Sequence, residues 1–505
     1  MKKTGSFLVI FLLSLCSFSQ KRIPEEKIIS KQIKDFEIFK TSLYELEANL
    51  NHHISEDSLS YFLNELKDLC SSEIIDDKTL YKAYSKVLVK VKSGHTNLQP
   101  TSKTYSYWIS EKNSLPMDVI LVGKRLFTVN DYNMLNEEAM KKLSGSAKKA
   151  NTIPKYTEIV TIDGKSIKAI MDEIAPYLSS DYGDESFKYY LSKSLFEFYR
   201  NLTNIRDEST EIEIEIIAKR DTVSKSISLG YPPLKDINER IKEDKKKSKK
   251  KKKGEKYGKF EILSNKYAYF TFDTFEKSKG KKYRKFLEES FEKMGKKEVE
   301  YLVVDLRENT GGYVQYDFLT YLFPEKQVDT LGQFLITKDD KPTYKKHIVR
   351  DEHFRKLRKA KRKVKKYEKK YDSNYEGVVL FEELGKKKVF SGKIIVITNE
   401  ATFSAASILA ADLKNIYGAK IIGSEAGGSF YTGSTGNISI ELPHSKLKIT
   451  FNPVYYRSSY NHYDSTANDP DVEFIPEFKD PKKDAKNNQK KVIKLIKREF
   501  KKRDQ

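Results

Sequence analysis

Tyr301-Leu302-Val303-Val304-Asp305-Leu306-Arg307-Glu308-Asn309-Thr310-Gly311-Gly312 is the stretch on which the reading of this chain turns. Its first four residues are apolar without alternation, the mark of a strand buried on both faces. The run stops at paired glycines, whose freedom at φ lets a loop aim backbone N–H groups at a ligand. Taken alone, Gly311 and Gly312 read equally well as a plain strand-ending turn. A second stretch repeats the logic: Lys393-Ile394-Ile395-Val396-Ile397-Thr398-Asn399-Glu400-Ala401-Thr402-Phe403-Ser404-Ala405-Ala406-Ser407-Ile408-Leu409-Ala410-Ala411. An apolar strand leads through a short loop to Ser404 at the start of an alanine-rich helix. A hydroxyl placed there sits in the positive field of the helix end and suits a nucleophile. The plain alternative is an N-cap, since serine satisfies the orphan N–H groups of a helix start.

These stretches are followed by Gly423-Ser424-Glu425-Ala426-Gly427-Gly428 and Asp469-Pro470-Asp471-Val472. In that order they resemble the C-terminal-processing and tricorn-type serine peptidases, whose core pairs a strand ending in DLR-N-x-GG with one ending in N-x-x-T-x-S-A. The likeness runs, with gaps, from about Lys21 to Pro476. It implies a mixed α/β protein: an N-terminal helical domain, a PDZ-like domain and a ClpP/crotonase-like α/β peptidase core. It further implies a serine-type peptidase with Ser404 as nucleophile, and an oxyanion hole made by Gly311 or Gly312 together with Ala405.

A serine hydroxyl needs a base to take its proton. The processing branch of the family takes a lysine from the stretch after the serine. Here Gly423-Ser424-Glu425-Ala426-Gly427-Gly428-Ser429-Phe430 holds none, and Lys420 comes too early. The tricorn-like branch takes a histidine from a Gly-His-Thr motif near the N-terminus, and Val91-Lys92-Ser93-Gly94-His95-Thr96-Asn97-Leu98 fits it. By that resemblance His95 is the base; read alone, it is a loop histidine bonded to backbone. The branch also places an acid ahead of the proline of a "PD" motif to orient the imidazole. Counting back from Pro470 gives Asp464, where relatives usually carry glutamate, with His462 two residues away. The branch has a serine directly before the histidine, whereas this chain has Gly94 there and Ser93 one further back. Those departures, the missing lysine and Ser407, where many relatives have glutamate, define the alternative: an inactive peptide-binding or scaffold protein on the same fold.

The composition sets the frame. A chain of 505 residues with 38% hydrophobic and 12% aromatic residues is long enough for several domains with real cores. The N-terminus reads as a signal peptide over 1–20: lysines, an apolar run from Phe7 to Leu15, then small residues. Export to the periplasm or beyond is therefore expected. Cys16 offers lipidation as a second route, although Leu15 stands where a lipoprotein signal wants a small residue. With the signal removed Cys70 is the only cysteine, so no intrachain disulfide forms.

The net charge of +22 is unevenly spread. It gathers in a lysine run at 242–253, in 355–370 and after Lys482. These read as a linker, a solvated helical insertion and a frayed end. The first run lacks the aromatics that stack bases, so the expectation is a peptide or protein substrate and attraction to an anionic envelope surface, with no nucleic acid. No spacing for a metal site, phosphate loop or dinucleotide fingerprint is seen, and no cofactor is implied. The division expected is 21–100 helical with the His95 loop, 110–235 a degenerate PDZ-like domain, 236–258 a lysine-rich linker, 259–480 the peptidase core with an insertion at 329–385, and 481–505 a basic tail.

Overall fold

In the computed structural model of the protein the described residues are 24–48, 50, 52–99, 115–181, 184–193, 195–203, 211–218, 221–228, 257–264, 266–313, 315–322, 327–336, 342–351, 378–384, 390–435, 437–458, 469–474 and 481–501. The signal-like segment, most of the lysine-rich linker, 355–370 and Asp464 lie outside them.

The continuous apolar runs form the centre of a six-stranded sheet in the order Lys259–Ser264, Tyr267–Thr271, Tyr301–Asp305, Lys393–Thr398, Lys420–Gly423, Val472–Glu473. The first pair is antiparallel and the other four pairings are parallel. Parallel strands need crossovers. Helix Gly280–Gly295 supplies one and helix Ala405–Tyr417 another. One face of the sheet buries Ala268, Phe270, Leu302, Val304 and Val396 against those helices. The opposite face buries Tyr267, Val303, Ile395 and Ile397 against Val492 and Ile496. These last two lie one helical turn apart on Pro481–Lys501, so the basic tail is a docked helix. Lysine-rich composition masks its apolar stripe, which is why it reads as a frayed end.

Register fixes where chemistry can sit. Thr271 pairs with Asp305, Asp305 with Ile397, and Thr398 with Gly423, so the strands end together. The loops carrying Gly311, Gly312, Ser404 and Gly428 therefore meet at one edge, where open parallel sheets bind ligands.

Helices Glu25–Leu46, Glu56–Ser72 and Asp77–Lys90 precede the sheet. Ser55 and Asp76 cap the second and third through their side chains. The short strand Asn97–Gln99 then joins a separate four-stranded sheet by pairing with Lys448–Phe451. A third sheet, Val119–Val122, Arg125–Thr128, Glu158–Ile162, Glu211–Ala218 and Asp221–Ser228, carries helix Ile167–Ile174 against its inner face. The segment 329–385 reads as an insertion, yet strands Gln327–Ile336 and Val378–Leu384 at its flanks pair with each other, and the first also pairs with Val454–Ser458. Its ends thus belong to a fourth sheet with Thr432–Thr435.

Candidate active site

Ser404 leaves the buried strand through a turn closed by side chains. Asn399 N donates to Thr402 Oγ1 at 3.0 Å, and Thr402 N donates to Asn399 O at 2.8 Å. The turn delivers Ser404 with φ 57° and ψ −123°, a conformation few non-glycine residues adopt. Such strain costs about 1–3 kcal/mol and persists only where the surroundings impose it. Ser404 makes no side-chain cap bond to the helix it precedes. Its Oγ instead lies 3.1 Å from His95 Nε2, although 309 positions separate the two residues. The helix-cap alternative thus has no hydrogen bond behind it.

The glycine loop is zipped to the serine loop by backbone and side chain. Phe403 N donates to Asn309 O at 3.0 Å, and Thr402 Oγ1 donates to Leu306 O at 3.0 Å. Gly311 has φ +94°, and a Cβ there would lie 2.8 Å from Phe403 O and from Ser404 Cβ. Only glycine fits. Its N–H is already used, donating to Asn309 Oδ1 at 2.9 Å. Gly312 bridges Phe275 through flanking bonds, Phe275 N to Gly311 O and Tyr313 N to Phe275 O. That pattern turns the N–H of Gly312 itself away from Phe275. Of the two glycines, Gly312 is the one whose N–H is given no partner among the described residues, and Ala405 stands at the helix start.

His95 is built from far-off parts. On its C-terminal side Thr96 Oγ1 donates to Glu47 Oε2 at 2.5 Å and accepts from Asn452 Nδ2 at 2.9 Å. Asn452 N also reaches Glu47 Oε2, at 3.2 Å. Thr96, Glu47 and Asn452 are all buried. On its N-terminal side Gly94 N donates to Asp181 Oδ1 at 2.8 Å, while Asp181 Oδ2 accepts from Ser429 N at 3.2 Å. The imidazole packs on Phe403 with centroids 4.5 Å apart, and Phe403 stacks on Phe187 at 3.8 Å. A Cβ at Gly94 would lie 2.9 Å from the Phe403 ring, so a serine there would collide with this stack. That is the physical account of the Gly94 departure.

Burial of the imidazole pushes its pKa down to about 4. The ring is therefore neutral near pH 7, as a base must be. Its Nδ1 is buried with no hydrogen-bond partner among the described residues. Buried ring nitrogens are as a rule satisfied. Asp464, the acid expected there, lies outside the described residues, as do His462 and 459–468 as a whole.

Lys420 begins its strand and pairs with Asp471 at 3.1 Å. Its strand runs three more residues before reaching the edge that carries Ser404, roughly 10 Å of extended chain. Asp305 of the DLR motif accepts from Arg307 Nε at 2.9 Å, Nη2 at 2.6 Å and backbone N at 3.1 Å, and from Tyr269. That cluster shapes the loop base and makes no contact with Ser404. A cleft of about 1240 Å³ opens beside the site and is lined by Arg307, Glu308, Asn399, Glu400 and Glu425 among others; neither Ser404 nor His95 lines it.

A strained serine on a strand–turn–helix, 3.1 Å from a histidine whose pKa burial lowers and near the main chain of Gly311 and Ala405, matches the equipment of a serine hydrolase. Residues 266–474 match the model of Peptidase family S41. That stretch carries the family's kind of core, and the chain is a serine-type peptidase. Solved structures share the fold. Mature CPAF superposes with a TM-score of 0.55 at 12% identity, covering 88% of this chain and 93% of its own. CPAF complexed with lactacystin gives 0.55 at 12% identity over 88% and 94%. No curated protein matches the sequence significantly.

The sequence signals missed Glu47, Asp181 and Asn452. None lies in a motif, and each acts across at least 49 positions of chain. Pairing of buried polar residues is invisible without the fold.

Proposed function

We propose that the protein is an exported endopeptidase in which Ser404 attacks the scissile carbonyl of a peptide or unfolded protein. His95 Nε2 takes the hydroxyl proton and returns it to the leaving amine. The N–H groups of Gly312 and Ala405 hold the oxyanion, in the field of the Ala405–Tyr417 helix. Asp464 orients the ring: Nδ1 is buried and lacks a partner among the described residues, and Asp464 is the one carboxylate in 459–468. The sheet containing Glu158–Ile162 is read as a PDZ-like module set beside the core, its Gly123 N donating to Glu400 Oε1 at 2.9 Å. Export rests on the signal-like residues 1–20; signal cleavage and envelope fractionation of the native protein test it.

The observation that carries the reading is the 3.1 Å contact between Ser404 Oγ and His95 Nε2. An inactive scaffold has no use for a strained serine aimed at a buried neutral imidazole. Labelling with a fluorophosphonate probe tests it. Wild type is expected to label at one site and Ser404→Ala not at all. Equal labelling of the two would defeat the assignment.

A further inference from the structure

Asp181 belongs to none of the sequence motifs, yet it joins the two loops on which the reaction depends. It follows the short helix Ala175–Tyr177 and precedes helix Ser186–Ser192, in the middle region rather than the peptidase core. Its side chain is 4% exposed. Oδ1 takes the N–H of Gly94, the residue before His95, at 2.8 Å. Oδ2 takes the N–H of Ser429 at 3.2 Å. Ser429 follows Gly428, where a Cβ would lie 2.9 Å from Ser404 N. Gly428 N in turn donates to Thr402 O at 3.0 Å. One carboxylate thus spans from the neighbour of the base to the turn that packs on the nucleophile.

We infer that Asp181 is a positioning residue: its carboxylate staples the His95 loop to the Gly427-Gly428-Ser429 turn and so sets the distance between His95 Nε2 and Ser404 Oγ. The inference rests on the catalytic reading above. On the Gly94 side of the base the holding falls to this side chain, because Gly94 has none of its own, while Glu47 and Asn452 hold the loop on the Thr96 side. Reacting groups displaced by about 1 Å lose on the order of 100-fold in rate. Both oxygens accept only while the group is ionised. Burial raises its carboxyl to about 6, against the lowering effect of the two N–H bonds. The titratable groups of the elements around it are Asp184, Glu185 and Lys188 beside it in sequence, Lys92 and His95 on the loop it holds, and Glu425 on the far turn. Asp184, itself raised well above the carboxylate range, feels both Glu425 and Asp181. Among the described residues no salt bridge to Asp181 competes with the two N–H donors.

The test is steady-state peptide hydrolysis and fluorophosphonate labelling by Asp181→Asn and Asp181→Ala, beside Ser404→Ala, His95→Ala and wild type, each with its melting temperature. Asp181→Asn keeps one acceptor oxygen and the side-chain volume, so it guards against a variant that fails to fold. The expected result is a kcat fall of about 10-fold for Asn and about 100-fold for Ala, with KM within about 2-fold. Wild-type activity should also decline as pH drops through about 6, because protonation removes an acceptor. Asp181→Asn should lose that limb and keep only the one at lower pH that belongs to His95, whose pKa burial places at about 4. Wild-type kcat, labelling rate and pH profile in a folded Asp181→Asn, while Ser404→Ala and His95→Ala are inactive, would overturn the inference alone. Activity surviving in Ser404→Ala or His95→Ala would overturn the catalytic reading beneath it.

Discussion

Ser404 and His95 are held in opposite ways. Ser404 is set by its own neighbourhood: a buried strand, a turn closed between Asn399 and Thr402, a helix behind it and an adjoining glycine loop bonded through Phe403 N and the Thr402 hydroxyl. His95 is set by side chains from three remote places, Glu47, Asp181 and Asn452. The first arrangement is local and breaks when the backbone of the turn or the Thr402 hydroxyl that closes it is disturbed. The second tolerates sequence change along the loop and breaks when a single polar partner is lost. Position by position, the variants that hurt each side should differ in kind.

Asp464→Asn tests the proposed orienting acid, which lies outside the described residues, and should have the largest effect among the changes that spare Ser404 and His95. If Asp464 orients Nδ1, turnover should fall by up to about ten-thousand-fold with binding nearly intact. Asp464→Glu should keep appreciable activity. If only His462→Ala is severe, the orienting residue of this loop is the other one. Kinetics of the three variants on one peptide substrate decide it.

On the serine side, Gly311→Ala changes no functional group but forces a Cβ to within 2.8 Å of Phe403 O at φ +94°. It should cost about 1–3 kcal/mol in a denaturant melt from backbone strain. By displacing the serine turn it should also lower kcat by about 100-fold. Near-native activity would mean that the turn is softer than its bonding implies.

Thr96→Val is the matching change on the histidine side, nearly isosteric but without the hydroxyl. Glu47 Oε2 then loses the donor at 2.5 Å and Asn452 Nδ2 loses its acceptor at 2.9 Å. Leaving buried polar groups short costs about 1–3 kcal/mol. A kcat loss of about 10-fold with KM held is expected, smaller than for Gly311→Ala because Asp181 still anchors the loop. The smallest effect belongs to Lys420→Ala, which removes only a part-exposed pair with Asp471. Activity within about 2-fold and a stability change under about 1 kcal/mol are expected. An essential Lys420 would restore the lysine-dependent branch of the family.

What could be read in advance follows the same division. Both central strands, the paired glycines and the serine at a helix start are local signals. An unbroken apolar run such as Ile394-Ile395-Val396-Ile397 and a glycine pair carry their meaning within a dozen residues. His95 was reachable through its Gly-His-Thr context, but what holds it was not. Glu47 ends a helix as one more surface-type acid in a charged sequence, and only the fold reveals it as a buried acceptor. The C-terminal helix was hidden for a related reason. Val492 and Ile496 form a stripe one turn apart inside a lysine-rich segment, and composition outweighs so narrow a pattern.

The central claim is that Ser404 and His95 act as one unit although built by different means. It is tested most directly by kcat for peptide hydrolysis in Ser404→Ala, His95→Ala and the double variant. Residues of a catalytic unit are strongly non-additive: removing either serine or histidine costs about as much as removing both, on the order of a million-fold in a well-studied serine protease. The expected result is that all three variants fall to the same residual rate. A double variant slower than each single one by the product of their separate losses would show two independent contributions, and would contradict the pair.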